Sequence, residues 1–276
     1  MPIQEKYPLV NHPCFANNRK DLYARIHLPV AKRCNVKCVF CDHNSSNSCH
    51  TAKPGYAARL MTPTEAIART QKELKRNSNL RIIAISGPGE PLFNKETFEV
   101  LEAAHGLRED LKVCLSTNGV LLGELAARLE QLDVNSVSVS MSAIDPIVAT
   151  RVYEWAIIED KIIQGVEMGK QVISRQLKGI EIATRLGIPV KINTVLMPGI
   201  NTDEIATLST RVAKAGAILQ NIVPLVTWAN TSSLVAPTSE ELAVARQIGG
   251  DHIPQFIHCK QCRSDVVGIP GEDRIL

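Results

Sequence analysis

Cys34, Cys38 and Cys41 stand four and then three residues apart in Cys34-Asn-Val-Lys-Cys38-Val-Phe-Cys41, a spacing that lets one loop present three thiolates to a common centre. Three thiolates can hold three irons of a [4Fe-4S] cube and leave the fourth open. Such an iron is Lewis-acidic and can chelate amino and carboxylate groups and pass on one electron. The competing reading is a zinc loop, which needs a fourth ligand; His43 and Cys49 are available.

Five further cysteines remain of the eight: Cys14, Cys49, Cys114, Cys259 and Cys262. Cys259-Lys-Gln-Cys262 is a CxxC pair, able to chelate one metal or one cluster edge through a short loop, and His258 precedes it. Cys14 lies in His12-Pro-Cys14-Phe15, and Cys49 follows the first loop. A lone cysteine is commonly a buried structural thiol, and the apolar run around Cys114 accounts for that residue fully. Arg25, His27 and Pro29 alternate onto one face of a strand, so His27 is either an imidazole turned toward a site or a satisfied core histidine. His12 ranks second as a candidate. Two more [4Fe-4S] clusters would want eight ligands, and five cysteines with one histidine supply six. Incomplete ligation suits clusters that are substrates and must later be released.

The elements that position these residues alternate. Leu22 to Val30 reads as a strand running into the cysteine loop. A helix then opens at Thr62, with Pro63 at its first position and Glu65 closing a capping box. Strand-like runs recur at 81–86, 111–117, 136–141, 188–194 and 218–226. Helical runs fall at 98–107, 121–132, 160–186, 202–215 and 239–248, the long one expected to break near Gly165 or Gly169. Strands alternating with helices imply parallel strands joined by right-handed crossovers. Six such units predict an α/β fold, a partial (β/α)6 TIM-like barrel with its site at the strands' C-terminal ends. The expected division is an N-terminal arm over 1–20, the barrel over 21–250 and a CxxC tail over 251–276, both extensions binding clusters.

The CxxxCxxC spacing, with Phe40 just before the third cysteine, resembles the radical S-adenosylmethionine (SAM) superfamily. The resemblance implies that Cys34, Cys38 and Cys41 are at once cluster ligands and catalytic residues, with SAM on the open iron. Polar residues at successive strand ends then read as SAM-facing. Gly87 and Gly89 would let backbone approach the ligand and Glu90 would accept from its ammonium group. Ser116 and Asn118 follow on the third strand, Ser142 and Asp145 after the fourth, and Lys191 and Asn193 on the fifth.

Composition narrows the class. With 31 Lys and Arg against 28 Asp and Glu, and aromatics at only 4%, the chain lacks the basic, aromatic-laced surface of a nucleic-acid binder. No run approaches a membrane span, and no basic-then-apolar leader opens the chain, so the expectation is a cytoplasmic protein. In a reducing compartment grouped cysteines point to metal rather than disulfides.

Taken together, His12-Pro-Cys14-Phe15, Arg25-Ile-His27-Leu-Pro-Val-Ala31, the cysteine loop, Gly87-Pro-Gly-Glu-Pro-Leu92, Ser116-Thr-Asn-Gly119, Tyr153-Glu-Trp155, Lys191-Ile-Asn-Thr194, Met197-Pro-Gly-Ile-Asn201, Cys259-Lys-Gln-Cys-Arg-Ser-Asp265 and Gly268-Ile-Pro-Gly-Glu-Asp273 resemble the NifB family over nearly the whole chain. These are the radical SAM enzymes of nitrogenase iron–molybdenum cofactor biosynthesis. The resemblance implies three [4Fe-4S] clusters: one radical SAM cluster and two auxiliary substrate clusters held by Cys14, Cys49, Cys114, Cys259, Cys262 and a histidine, His27 ahead of His12. It further implies fusion of the auxiliary clusters around a SAM-derived carbide. Implied partners are SAM, a ferredoxin-like electron donor, and the iron–sulfur donor and carrier or scaffold proteins of nitrogenase assembly. The chain looks like the stand-alone form without a C-terminal carrier domain. It departs from the family at Cys49-His50-Thr51-Ala52-Lys53-Pro54-Gly55, where many relatives place an acid; His50 or a different proton acceptor would stand in, and Cys49 is the less secure ligand for it.

Overall fold

The computed structural model describes residues 9–41, 55–227, 231 and 233–276. Cys49, His43 and His50 lie outside the described residues.

Six parallel strands form the centre: β1 (Ala24–His27), β3 (Leu80–Ile85), β4 (Lys112–Thr117), β5 (Ser136–Ser140), β8 (Val190–Leu196) and β9 (Leu219–Pro224), adjacent in that order. Between them run α1 (Pro63–Arg76), α2 (Lys95–Ala104), α3 (Leu122–Gln131), α5 (Gly165–Arg185) and α6 (Ile205–Lys214), with α7 (Ser239–Gly250) after β9. The sheet is an open, partial (β/α)6 barrel. Thr62 caps α1 in the reciprocal capping box with Glu65, and Thr238 caps α7 the same way with Glu241. The helix-facing residues of the strands, among them Ile26, Ile83, Ile85, Leu115, Val137, Val139 and Ile192, join the main hydrophobic core.

β1 is shorter than the strand read from sequence. Leu28 still donates to the Ala84 carbonyl, but Pro29 has no N–H and ends the ladder. The long helical run is also resolved differently. Residues 160–164 are not helical: β6 (Tyr153–Ile158) and β7 (Lys161–Ile163) form a hairpin, following the short helix α4 (Pro146–Val152). Its two turn residues, Glu159 and Asp160, both have positive φ, the geometry of a type I′ turn normally signalled by Asn-Gly. Gly165 begins α5, and Gly169 sits inside it. A Cβ on Gly169 would lie 2.4 Å from the Pro146 carbonyl, so this glycine permits close packing of α4 on α5 instead of a break.

Part of the cysteine loop is itself extended. Residues Val36–Cys38 form β2, antiparallel to β6, with Cys38 opposite Tyr153. At the other end of the chain, β10 (Val266–Gly268) pairs antiparallel with β1, and β11 (Arg274–Ile275) pairs with β10. Among the described residues no helix is long and apolar enough to cross a membrane.

Candidate iron–sulfur and SAM site

Registration of the parallel strands puts polar residues in rungs on the face away from the helices. His27, Ala84, Cys114 and Ser136 make one rung; Ser116, Ser138 and Lys191 make the next; Ser140, Asn193 and Asn221 the third. A parallel sheet covered on both faces would be apolar on both. This one is polar on its concave face, as a barrel built around a ligand requires.

The cysteine loop hangs over the C-terminal ends of these strands. Gly89 donates to the Ala31 carbonyl at 2.7 Å and Glu90 to the Arg33 carbonyl at 2.9 Å, clasping the segment just before Cys34. A Cβ on Gly89 would meet the Arg33 carbonyl at 2.4 Å, so the room left by this glycine is filled by the cysteine loop. Gly87 is buried beside Ser264 and Gly55. Asn118 donates to Asn35 Oδ1 at 2.7 Å and reaches Cys34 Sγ at 3.9 Å. Phe40 packs on the main core.

Cys38 and Cys41 hydrogen-bond to each other, and that bond, followed by burial, pushes the Cys38 thiol well above its usual range. Burial, then Glu90, pushes Cys34 up to about 12. Thiols so placed ionise when iron replaces the proton. No three His, Cys, Asp or Glu side chains among the described residues converge as a single ion would need. The thiolates of an iron–sulfur cube attach to separate irons, so the donor set fits a cluster.

Several strand-end residues are engaged by the protein itself. Buried Glu90 accepts from Leu92 N (3.0 Å) and Thr117 Oγ1 (2.5 Å) on Oε1, and from Asn118 N (2.6 Å) on Oε2. Burial outweighs these three donors and raises its pKa to about 7. Asp145 is the exposed N-cap of α4, and Ser142 Oγ accepts from Val195 N. Asn193 Oδ1 accepts from Asn221. Ser116 remains half-buried on the concave face. Lys191, 4% exposed, donates to the Cys14 carbonyl at 3.0 Å between the rings of Phe15 and Phe256.

Lower in the barrel lie Cys14, Cys114, Cys259 and Cys262. Cys14 and Cys259 pack around one small cluster of Phe15, Leu219 and Phe256. Negative charge on Cys14 would act on both Cys114, which burial pushes up to about 12, and Cys262, which burial pushes up to about 11. Their route together is the tail. Phe256 donates to the Gln220 carbonyl on the β9 edge, and ten residues later β10 docks on the β1 edge, so the CxxC pair spans the open side of the barrel. The sequence carried no periodic signal for this crossing, since the segment between has no regular structure.

The two histidines differ in hydrogen bonding. His27 Nδ1 lies 2.9 Å from the Arg263 carbonyl, which can only accept, so Nδ1 carries the proton and Nε2 the lone pair. His12 Nδ1 accepts from Cys14 N at 3.1 Å, which puts its proton on Nε2. Burial lowers both to about 3, helped at His27 by Arg25 and at His12 by Lys191. Both imidazoles are therefore neutral.

The model of the radical SAM superfamily matches residues 28–211. The chain is 38% identical over 265 residues to the FeMo cofactor biosynthesis protein NifB of Methanocaldococcus infernus, covering 96% of this chain and 87% of that protein. Against the NifB of Klebsiella pneumoniae it is 37% identical over 270 residues, covering 95% of this chain and 58% of that protein. Among solved structures, a radical SAM methyltransferase from Sphaerobacter thermophilus superposes with a TM-score of 0.57 at 20% identity, covering 85% of this chain and 64% of that one. SuiB of Streptococcus suis does so with 0.59 at 14%, covering 84% and 48%. At such identities the superpositions speak for the fold alone. The sequence relatives carry the assignment further: the chain belongs to the radical SAM superfamily and, within it, to the NifB family of FeMo cofactor biosynthesis proteins.

Proposed function

We propose that this chain is the synthase that fuses two auxiliary [4Fe-4S] clusters and inserts a SAM-derived carbide, giving the eight-iron precursor of the nitrogenase cofactor. The observation that supports this reading is that Cys14 lies close enough to Cys114 and Cys262 to act on both electrostatically and shares a small apolar cluster with Cys259, while His27 bonds to the carbonyl of Arg263, next to Cys262. That is a larger ligand set than the radical reaction needs and a smaller one than two permanent clusters want. The auxiliary clusters are then substrates. Cys34, Cys38 and Cys41 would hold the loop cluster, which would supply the electron for SAM cleavage, and a further SAM would supply the methyl carbon.

The chain's own residues have definable roles. Asn118 orients Asn35 and the Cys34 sulfur, and Glu90 ties that strand end to the clasp on the cysteine loop. His27, with its Nδ1 proton on a carbonyl, offers Nε2 to iron and is the ligand ahead of His12. Lys191 and Arg25 are buried cations close to Cys114, and they offset the negative charge of thiolate-bound clusters. Functionally the chain divides into an arm over 1–20, a barrel over 21–250 and a tail over 251–276. Its partners would be a ferredoxin-like reductant and the iron–sulfur donor and cofactor-carrier proteins of nitrogenase assembly.

The test is anaerobic reconstitution followed by SAM and reductant. About twelve irons in three clusters should give way to a new EPR signal as deoxyadenosine and S-adenosylhomocysteine both appear. Cys38→Ala should abolish both products while auxiliary signals remain. If the wild-type chain yields deoxyadenosine alone and its auxiliary signals persist, the clusters are tools of a different radical SAM maturase.

A further inference from the structure

The turn from Gly268 to Asp273 contains no cysteine or histidine, and its contacts lead to one residue. Arg25 on β1 is 1% exposed. Its Nη1 donates to the Gly268 carbonyl at 2.7 Å. Its Nη2 donates to Asp273 Oδ2 at 2.6 Å and to Cys262 Sγ at 2.8 Å. The Nε–H is buried and meets no acceptor among the described residues. A charged donor left unpaired in a buried site is unfavourable, which favours an anionic acceptor at that place. Sulfide is such an acceptor, and N–H contacts to sulfur tune iron–sulfur clusters. The planar fork matters: two donors point to the clamp and the sulfur at fixed angles, which a lysine ammonium cannot reproduce.

We propose that Arg25 is a cluster-positioning residue. Asp273 and the Gly268 carbonyl fix its guanidinium, one N–H of which holds the Cys262 sulfur while Nε–H serves a sulfide of the auxiliary cluster that Cys262 binds. The proposal rests on Cys262 being a cluster ligand, and on it the C-terminal turn serves to aim Arg25.

The experiment reconstitutes the full chain anaerobically with ferrous iron and sulfide, counts iron and acid-labile sulfide per chain, and records EPR and the auxiliary reduction potentials. Arg25→Met should lose about four irons, one cluster's worth, while the loop cluster keeps its response to SAM. Arg25→Lys should retain iron but alter the auxiliary EPR signal and make its potential more negative, because a fixed N–H···S contact is lost. Asp273→Asn, which does not touch the sulfur, should move the same readouts less. Melting curves separate these effects from unfolding. Wild-type iron with unchanged auxiliary EPR in Arg25→Met overturns the proposal. Should that variant fail to fold, an Arg25→Lys spectrum and potential identical to wild type overturns it instead. Cys262→Ala distinguishes the two levels. Full iron in that variant removes the ligand assignment itself, whereas iron lost there and kept in Arg25→Met removes only the role of Arg25.

Discussion

Glu90 shows how far a residue's type can be separated from its use. A carboxylate beside two glycines at a strand end invites a ligand ammonium, yet both its oxygens are occupied by Leu92, Thr117 and Asn118. In Glu90→Gln, whichever way the amide is turned, its NH2 faces a backbone N–H, which should cost about 1–3 kcal/mol in chemical denaturation. The variant also has a pH signature. Glu90 keeps its proton up to about pH 7 in the folded chain, against 4.5 for the ordinary group. The stabilisation this gives is fully present below pH 4.5 and lost as pH rises through about 7. Wild-type denaturation midpoints should therefore fall between pH 5 and pH 8 by more than those of Glu90→Gln; equal slopes would contradict the assignment. The cysteine loop, by contrast, was legible from spacing alone, because thiolate chemistry on a short loop depends little on the surrounding fold. The hydrogen bonds that distinguish His27 from His12 were not, since their partners, Arg263 and the Cys14 amide, are fixed only by folding.

At the level of elements, strand–helix alternation was plain because each βα unit carries its own period and caps. The hairpin of β6 and β7 was hidden by its neighbours. Its turn, Glu159-Asp160, lacks the usual residues for positive φ, and the apolar positions of 153–163 merge with those of α5. The hairpin matters because β6 backs the cysteine loop through β2. Gly169 is the second element-scale point. Gly169→Ala should raise intrinsic helix propensity by roughly 1 kcal/mol, yet its Cβ would collide with the Pro146 carbonyl. Overpacking should win, for a net loss of about 1–2 kcal/mol measured by urea denaturation. A stabilised variant would show that α4 and α5 separate easily.

Across the whole molecule, the two extensions complete what the six strands leave open. The tail leaves the β9 edge at Phe256, crosses the open side and docks as β10 on β1, where Arg274 of β11 pairs with buried Glu73 of α1. The arm is held by the ammonium of Lys191 on the Cys14 carbonyl. Deleting residues 266–276 should expose the β1 edge, release Arg25 and lower the melting temperature by roughly 2–4 °C for each kcal/mol lost, with auxiliary iron lost before loop iron; unchanged melting and iron would mean that the tail is dispensable. By itself the sequence determined the open barrel of six units and the spacing of the radical SAM cysteine loop, because local periodicity, capping and loop spacing act over a few residues. Which histidine offers a lone pair, which strand-end polar groups are left for a ligand, and how Cys14, Cys114 and Cys262 become neighbours were decided by the tertiary structure alone. Those relations join residues as many as 248 positions apart, through register and edge docking that no local pattern encodes.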